Sequence, residues 1–166
     1  CPIKPDDDTL NLTKFRKEMR DILPSSNTEY VIEPGKYISG PTTSLLTKAQ
    51  TVRGKDPIFV GVDAGMSDFL RPTMFDIDLH ITNLYKKDSV DSHTVSGPTC
   101  SGADIFCHNK EFGTTEQDDI LVLNNVGAYS VIMTTQFHGY DSPKCISLQG
   151  QISDSISDIV SEKSTL

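Results

Sequence analysis

The sequence predicts a mainly β protein: an antiparallel barrel or sandwich preceded by one helix–strand unit. Three observations carry this. Seven short runs of strand character lie between Ser44 and Leu148, separated by turn signals. Ahead of them, apolar residues recur at helical spacing and lead, after a break, into a brief apolar run and a glycine turn. No internal repeat is visible. The chain therefore divides into residues 1–40, a β domain over 41–150, and a tail over 151–166.

The helix comes first. Leu12, Phe15, Met19, Ile22 and Leu23 fall on one face. Asp8, Thr9 or Asn11 caps its start, and Pro24-Ser25-Ser26-Asn27 ends it. Tyr30-Val31-Ile32 then reads as a buried strand stopped by Glu33-Pro34-Gly35. Helix, turn, strand and glycine turn make the αβ unit that repeats in parallel sheets and (β/α) barrels.

After Gly40-Pro41 the expected strands are Ser44 to Val52, Ile58 to Val62, Asp76 to Leu84, His93 to Val95, Ile120 to Leu123, Tyr129 to Met133 and Lys144 to Leu148. The turns between them are Gly54-Lys55-Asp56-Pro57, Lys86-Lys87-Asp88, Gly113, Asp118-Asp119 and Asp141-Ser142-Pro143. Short strands in succession give an antiparallel barrel or sandwich. Ile152, Ile156, Ile159 and Val160 place a short amphipathic helix or a frayed end in the Ser- and Asp-rich tail.

Composition narrows the function. At 166 residues the chain is long enough to bury a core without disulfides or metals. A net charge of −8 repels phosphate backbones and anionic lipid heads, which argues against nucleic-acid and membrane partners. The Asp6-Asp7-Asp8 run lacks the spaced ligands and glycine of a calcium loop and reads most simply as solvated. Cys1, Cys100, Cys107 and Cys145 show no zinc spacing and suit free thiols in a reducing compartment. His80, His93, His108 and His138 show no metal spacing either, so they read as structural or exposed. No apolar stretch is long enough to span a membrane and no signal peptide is visible, so the expectation is a soluble cytoplasmic protein.

Four local clusters carry possible chemistry. Glu33-Pro34-Gly35-Lys36 follows the first strand; its carboxylate can pair with a protonated ring nitrogen, and its glycine lets backbone N–H groups approach a phosphate. It also reads as a turn with a charged rim. Asp63-Ala64-Gly65-Met66 with Arg71-Pro72 reads either as a loop whose arginine grips a carboxylate or as an ordinary turn. Gly97-Pro98-Thr99-Cys100-Ser101-Gly102-Ala103-Asp104 holds one thiol, either a proton donor or a small buried hydrophobe. Asn125-Val126-Gly127-Ala128-Tyr129 offers a tyrosine for a phosphate oxygen or for packing.

Taken in order, Glu33-Pro34-Gly35-Lys36, Val62-Asp63-Ala64-Gly65-Met66-Ser67-Asp68 with Arg71-Pro72, Gly97-Pro98-Thr99-Cys100 with Asp104, and Gly127-Ala128-Tyr129 resemble the C-terminal half of the decarboxylases of alanine-racemase-like fold. That family includes diaminopimelate, ornithine and arginine decarboxylases, and the likeness covers Asn11 to Gln149. It implies pyridoxal phosphate as cofactor and makes residues 1–40 the last αβ unit of a (β/α)8 barrel. By resemblance, Glu33 pairs with the pyridinium nitrogen, Gly35, Lys36 and Tyr129 hold the cofactor phosphate, and Cys100 reaches across a dimer interface to return a proton to the α-carbon. Arg71, Asp76, Ser101 and Asp104 then face the substrate.

The sequence departs from the family in places. Lys36 stands where arginine is usual, which loses the bidentate fork. Ser101 replaces the acid that usually follows the cysteine. Asp63 to Arg71-Pro72 looks like diaminopimelate decarboxylases, whereas Asp76, the Cys100 loop and Phe137-His138-Gly139-Tyr140 lean toward ornithine decarboxylases. No lysine sits in a context like that of the family's Schiff-base lysine, which lies in the N-terminal barrel. The resemblance thus implies the C-terminal portion of a decarboxylase of basic or dicarboxylic amino acids, inactive as this chain alone. Its partners are an N-terminal barrel part, separate or cleaved, and a second copy in a homodimer-type assembly. The alternative is a non-catalytic relative that binds and regulates a full-length decarboxylase.

Overall fold

The structure is a computed structural model describing residues 11–23, 29–75, 77–85 and 88–147. The chain opens with α1 (Leu12–Ile22), started by Asn11, whose side-chain oxygen accepts from the Lys14 N–H at 3.0 Å. The apolar stripe is there, yet α1 buries none of its residues. Tyr30-Val31-Ile32 is a correction: it is exposed and pairs with no strand among the described residues. A strand needs a ladder partner for its N–H and C=O groups, and none lies alongside. A single turn, α2 (Lys36–Ser39), and a 3-10 turn over Gly40–Thr42 then deliver the chain to the sheet.

Six strands follow: β1 (Leu45–Gly54), β2 (Ile58–Val62), β3 (Ile81–Asn83), β4 (Val90–Ser96), β5 (Ile105–Gly113) and β6 (Ile120–Leu123), with a short helix α3 (Arg71–Met74) between β2 and β3. They form one sheet in the order β3-β6-β1-β2-β4-β5. Its two edges approach each other. Asn83 Nδ2 donates to the Thr114 carbonyl and to Asp119, both at 2.8 Å, and Lys110 pairs with Asp78. The result is a nearly closed barrel, which leaves few open strand edges.

Three of the seven expected strands take a different form. Only Ile81–Asn83 of the stretch from Asp76 to Leu84 is a strand, and Asp76 lies outside the described residues. Tyr129 to Met133 is a turn: Tyr129 adopts φ 65° and Val131–Met133 forms a 3-10 helix with Val131 and Ile132 exposed. A left-handed residue reverses the chain and breaks a strand's alternation. Residues 144–147 form no strand, and Leu148 and the expected tail helix lie outside the described residues. Conversely, β5 was hidden because its ladder with β4 shifts register twice and Asn109 has φ 47°, so its apolar residues lose strict alternation.

Strand direction places the loops. β1 is antiparallel to β2 and to β6, while β4 is parallel to β2. Hence β2, β4 and β6 run in one sense. The segments leaving them, and the segment entering β1, gather at one end of the barrel.

The interior is filled by Ala49, Val60, Val62, Phe69, Leu79, Ile81, Val95, Phe106, Phe112, Leu121 and Leu123. Each large aliphatic or aromatic side chain buried here contributes about 1.5–3 kcal/mol. Phe69 stacks on Phe106, with ring centroids 6.4 Å apart. Among these apolar groups lies one histidine. His93 is fully buried, stacks on Phe112 at 4.0 Å, and has no well-placed hydrogen-bond partner on either ring nitrogen. Burial pushes its pKa down, offset in part by the nearby Asp91 and Lys110 backbone and by the Asp91 charge.

The folded state thus holds this ring neutral, while the unfolded chain takes up its proton near pH 6.5. Stability therefore falls as pH drops through that region. His93→Phe keeps the stacked ring and removes the titration. Its Tm should fall less than the wild-type Tm between about pH 7.5 and 5.5 in thermal scans; equal falls would exclude His93 as a source of acid sensitivity.

Candidate functional site

At the loop-bearing end, the segment after β2 turns first. Asp63 Oδ1 accepts from Thr47 Oγ1 at 2.7 Å and from the Lys48 N–H at 2.8 Å, tying the strand end to β1. The Gly65 N–H donates to Asp68 Oδ2 at 2.8 Å and closes a tight turn that drops Phe69 into the core. Burial raises the Asp68 pKa, and the nearby Asp104 and Asp63 charges push the same way. The chain then enters α3, where Arg71 Nη1 donates to the Ala128 carbonyl at 3.2 Å.

The segment after β4 lies directly alongside, because Gly61 pairs with Ser96 in the parallel ladder. Its organiser is Asp104, which is 2% exposed. Asp104 Oδ1 accepts from the Met66 N–H at 2.7 Å, and Oδ2 accepts from the Thr99 N–H at 3.0 Å and Thr99 Oγ1 at 2.7 Å. One carboxylate thus joins two loops. Gly65 and Gly97 make room for it: a Cβ on Gly65 would stand 2.8 Å from Asp104 Oδ2, and one on Gly97 would overlap the carboxylate. Thr73 Oγ1 adds a further tie, donating to the Ala103 carbonyl at 3.2 Å. This network leaves Cys100 exposed at the loop tip and Ser101 half-buried beside it, with Ser101 Oγ accepting from the Ala103 N–H at 3.3 Å.

The segment after β6 meets the segment entering β1. The Val126 N–H donates to the Thr43 carbonyl and the Gly127 N–H to the Gly40 carbonyl, both at 3.0 Å. The approach is so close that a Cβ on Gly127 would run into the Ser39 carbonyl. This contact carries Tyr129, 54% exposed, onto the Glu33–Lys36 turn. Its hydroxyl lies 3.7 Å from where a Cβ on Gly35 would be, and Gly35 itself has φ 32°. Glu33, Gly35 and Lys36 are exposed around it.

The four motifs separated in sequence therefore form one connected cluster. Gly35 meets Tyr129, Ala128 meets Arg71, and the Gly65–Met66 turn is locked to the Cys100 loop through Asp104. Asp104, placed facing a substrate by the sequence reading, is buried with both carboxylate oxygens engaged inside the protein. Sequence reasoning passed over His138, whose Nε2 lies 3.9 Å from Cys100 Sγ, and Thr135, whose N–H donates to the Ser67 carbonyl at 2.9 Å. The signal for His138 was the Phe137-His138-Gly139-Tyr140 stretch, taken there only as a likeness.

Such a sheet, nearly closed on its core and carrying its polar loops at one exposed end, is a barrel-like β domain. The chain belongs to the pyridoxal-dependent decarboxylase family, matching its C-terminal sheet domain over residues 30–127. It is 28% identical to the diaminopimelate decarboxylase of Methanothermobacter thermautotrophicus over 99% of this chain and 40% of that protein. To the diaminopimelate decarboxylase of Archaeoglobus fulgidus it is 29% identical, over 92% of this chain and 35% of that protein. Among solved structures, the Helicobacter pylori diaminopimelate decarboxylase complexed with L-lysine superposes with a TM-score of 0.70 at 27% identity, covering 81% of this chain and 34% of that one. The chain thus spans between a third and two fifths of the length of these relatives. No helix among the described residues is long and apolar enough to cross a membrane.

Asp104→Ala should lower stability by about 3 kcal/mol in urea unfolding, since it strands the Met66 and Thr99 N–H groups in a buried site. A loss below about 1 kcal/mol would mean that the two loops hold together without it.

Proposed function

We propose that this chain forms the sheet-domain wall of the active site in a pyridoxal-phosphate-dependent amino-acid decarboxylase. The observation that carries the reading is the convergence of Gly35 with Tyr129, of Arg71 with Ala128, and of the Gly65–Met66 turn with the Cys100 loop, at one end of the barrel. The residues fit the cofactor's outer edge. Gly35, at a positive φ of 32° and with the Tyr129 hydroxyl 3.7 Å from where its Cβ would stand, makes a turn in which backbone N–H groups can approach a phosphate.

In this reading Glu33 pairs with the ring nitrogen, while Gly35, Lys36 and Tyr129 hold the phosphate. The bound cofactor supplies an electron sink for the pair left when the α-carboxylate departs. Cys100 then delivers its Sγ proton to the α-carbon, working in the site of a second copy. Arg71 keeps guanidinium nitrogens beyond the one given to Ala128 and suits a distal carboxylate. Ser101 lines the same end, Asp76 faces the substrate by family resemblance alone, and Asp104 acts by holding the Cys100 loop in place. The substrate favoured is a diamino dicarboxylic acid of the diaminopimelate type, in line with the named activities of the relatives.

The Schiff-base lysine is contributed by a barrel part, either on the same polypeptide or on a separate one. Exposed Val31, Ile32, Ile38, Val131 and Ile132 flank the Glu33–Tyr129 cluster and offer the apolar surface such a part would cover. The assembly is expected to be a dimer with shared sites.

Borohydride reduction of the native assembly, followed by intact mass, should place the cofactor mass on a lysine outside these 166 residues. Cofactor mass on this chain's own lysines would sink the two-part reading. In the assembled enzyme Cys100→Ala should cut kcat by about 10²-fold or more, the ordinary contribution of a positioned proton donor. Full activity in that variant would remove Cys100 from the chemistry.

A further inference from the structure

In the proposed chemistry Cys100 must recover a proton after each turnover, and the structure places an imidazole beside it. Cys100 Sγ and His138 Nε2 are 3.9 Å apart, within hydrogen-bonding reach for sulfur. The two residues come from different segments, one after β4 and one after the 3-10 turn Val131–Met133. Each segment is tied independently to the Gly65–Asp68 turn. Asp104 holds the Cys100 loop to Met66, and the Thr135 N–H holds the His138 segment to Ser67.

His138 is also locally fixed. Its backbone sits at φ 60° and ψ 17°, followed by Gly139 at φ 75°, and the Gly139 N–H closes the turn onto the Gln136 carbonyl at 2.9 Å. Its ring packs against Phe137 with centroids 4.3 Å apart. Both the thiol and the imidazole are exposed at the loop-bearing end. The charged groups of the two segments are Asp104, whose oxygens are engaged by the loop, and Asp141 beyond the turn.

We propose that His138 is the positioning residue for the Cys100 thiol, orienting the Sγ–H bond and reloading the sulfur with a proton after each turnover. The inference rests on the reading of Cys100 as proton donor. When the Sγ–H bond breaks, its proton goes to the α-carbon and its electron pair stays on sulfur. The Nε2–H bond of the imidazolium then breaks, its proton joins Sγ, and the neutral ring takes a replacement proton from solvent. An imidazole suits this because its neutral ring can accept the Sγ–H hydrogen bond, or take the proton as the sulfur reacts, and its protonated form can return a proton to sulfur.

The test reads the thiol directly. The chain is alkylated with iodoacetamide across about pH 5 to 9, and each cysteine is followed by peptide mass. Cys107 serves as a slow internal standard, because burial pushes its thiol up to about 11. Cys145 serves as an exposed one. Two variants are compared: His138→Asn, which tolerates the left-handed backbone, and His138→Gln, which keeps similar reach. The exposed His108→Gln is the control.

Near pH 6.5 Cys100 should react at least about threefold more slowly in both His138 variants. Cys145 should be unchanged, and the control should match wild type. A wild-type Cys100 profile in either His138 variant overturns the proposal. The parent reading fails separately: full activity of Cys100→Ala in the assembled enzyme removes the thiol's role, whatever the alkylation profile shows.

Discussion

Between Ile58–Gly61 and His93–Ser96 the strands run parallel, in a sheet whose other described pairs are antiparallel. Parallel neighbours cannot be joined by a tight hairpin, so the chain must leave β2 and travel through α3 and β3 before returning as β4. That excursion carries Asp68, Arg71 and Thr73. It also makes β2 and β4 end side by side, which lets the Gly65 turn and the Cys100 loop touch. Were β4 antiparallel to β2, the Cys100 loop would start at the opposite end of the barrel.

Once the loops are neighbours, a single carboxylate joins them. Asp104 is buried, and a buried charge is tolerable only when its oxygens are satisfied. Two backbone N–H groups and the Thr99 hydroxyl supply that. The glycines at 65 and 97 are the steric complement, since side chains there would occupy the carboxylate's space. The third loop is held by its backbone N–H groups on the Gly40 and Thr43 carbonyls, by the close fit of Gly127 against Ser39, and by the Arg71 side chain on the Ala128 carbonyl. Rigid supports beneath exposed side chains are what a site needs to hold geometry within fractions of an ångström.

The loop-bearing end is also where the domain is least self-sufficient. Tyr30-Val31-Ile32 is exposed ahead of the Glu33–Lys36 turn, and Val131 and Ile132 stand in solvent next to Tyr129. The barrel beneath is complete by contrast, with Leu121, Leu123, Val60, Val62 and Val95 at 2% exposure or less. Stability is thus concentrated in the sheet, and the polar groups and unpaired apolar groups lie together at its mouth.

The sequence by itself determined the elements whose signals are local. Leu12–Ile22, Ile58–Val62 and Ile120–Leu123 were legible because helical spacing, apolar runs and turn residues act on near neighbours. The four motifs and their family likeness were legible for the same reason: each is a short run of residue types. Only the tertiary structure decided what depends on contacts between distant segments. β5 was hidden by its bulges, and Tyr129 to Met133 became a turn because its first residue took a left-handed conformation. Asp104 reads in sequence like a residue open to a ligand, and only the proximity of the Met66 and Thr99 N–H groups reveals it as a buried tie. The pairing of Cys100 with His138, and of Gly35 with Tyr129, belongs to the shared end of the barrel, which strand direction sets and no local pattern encodes.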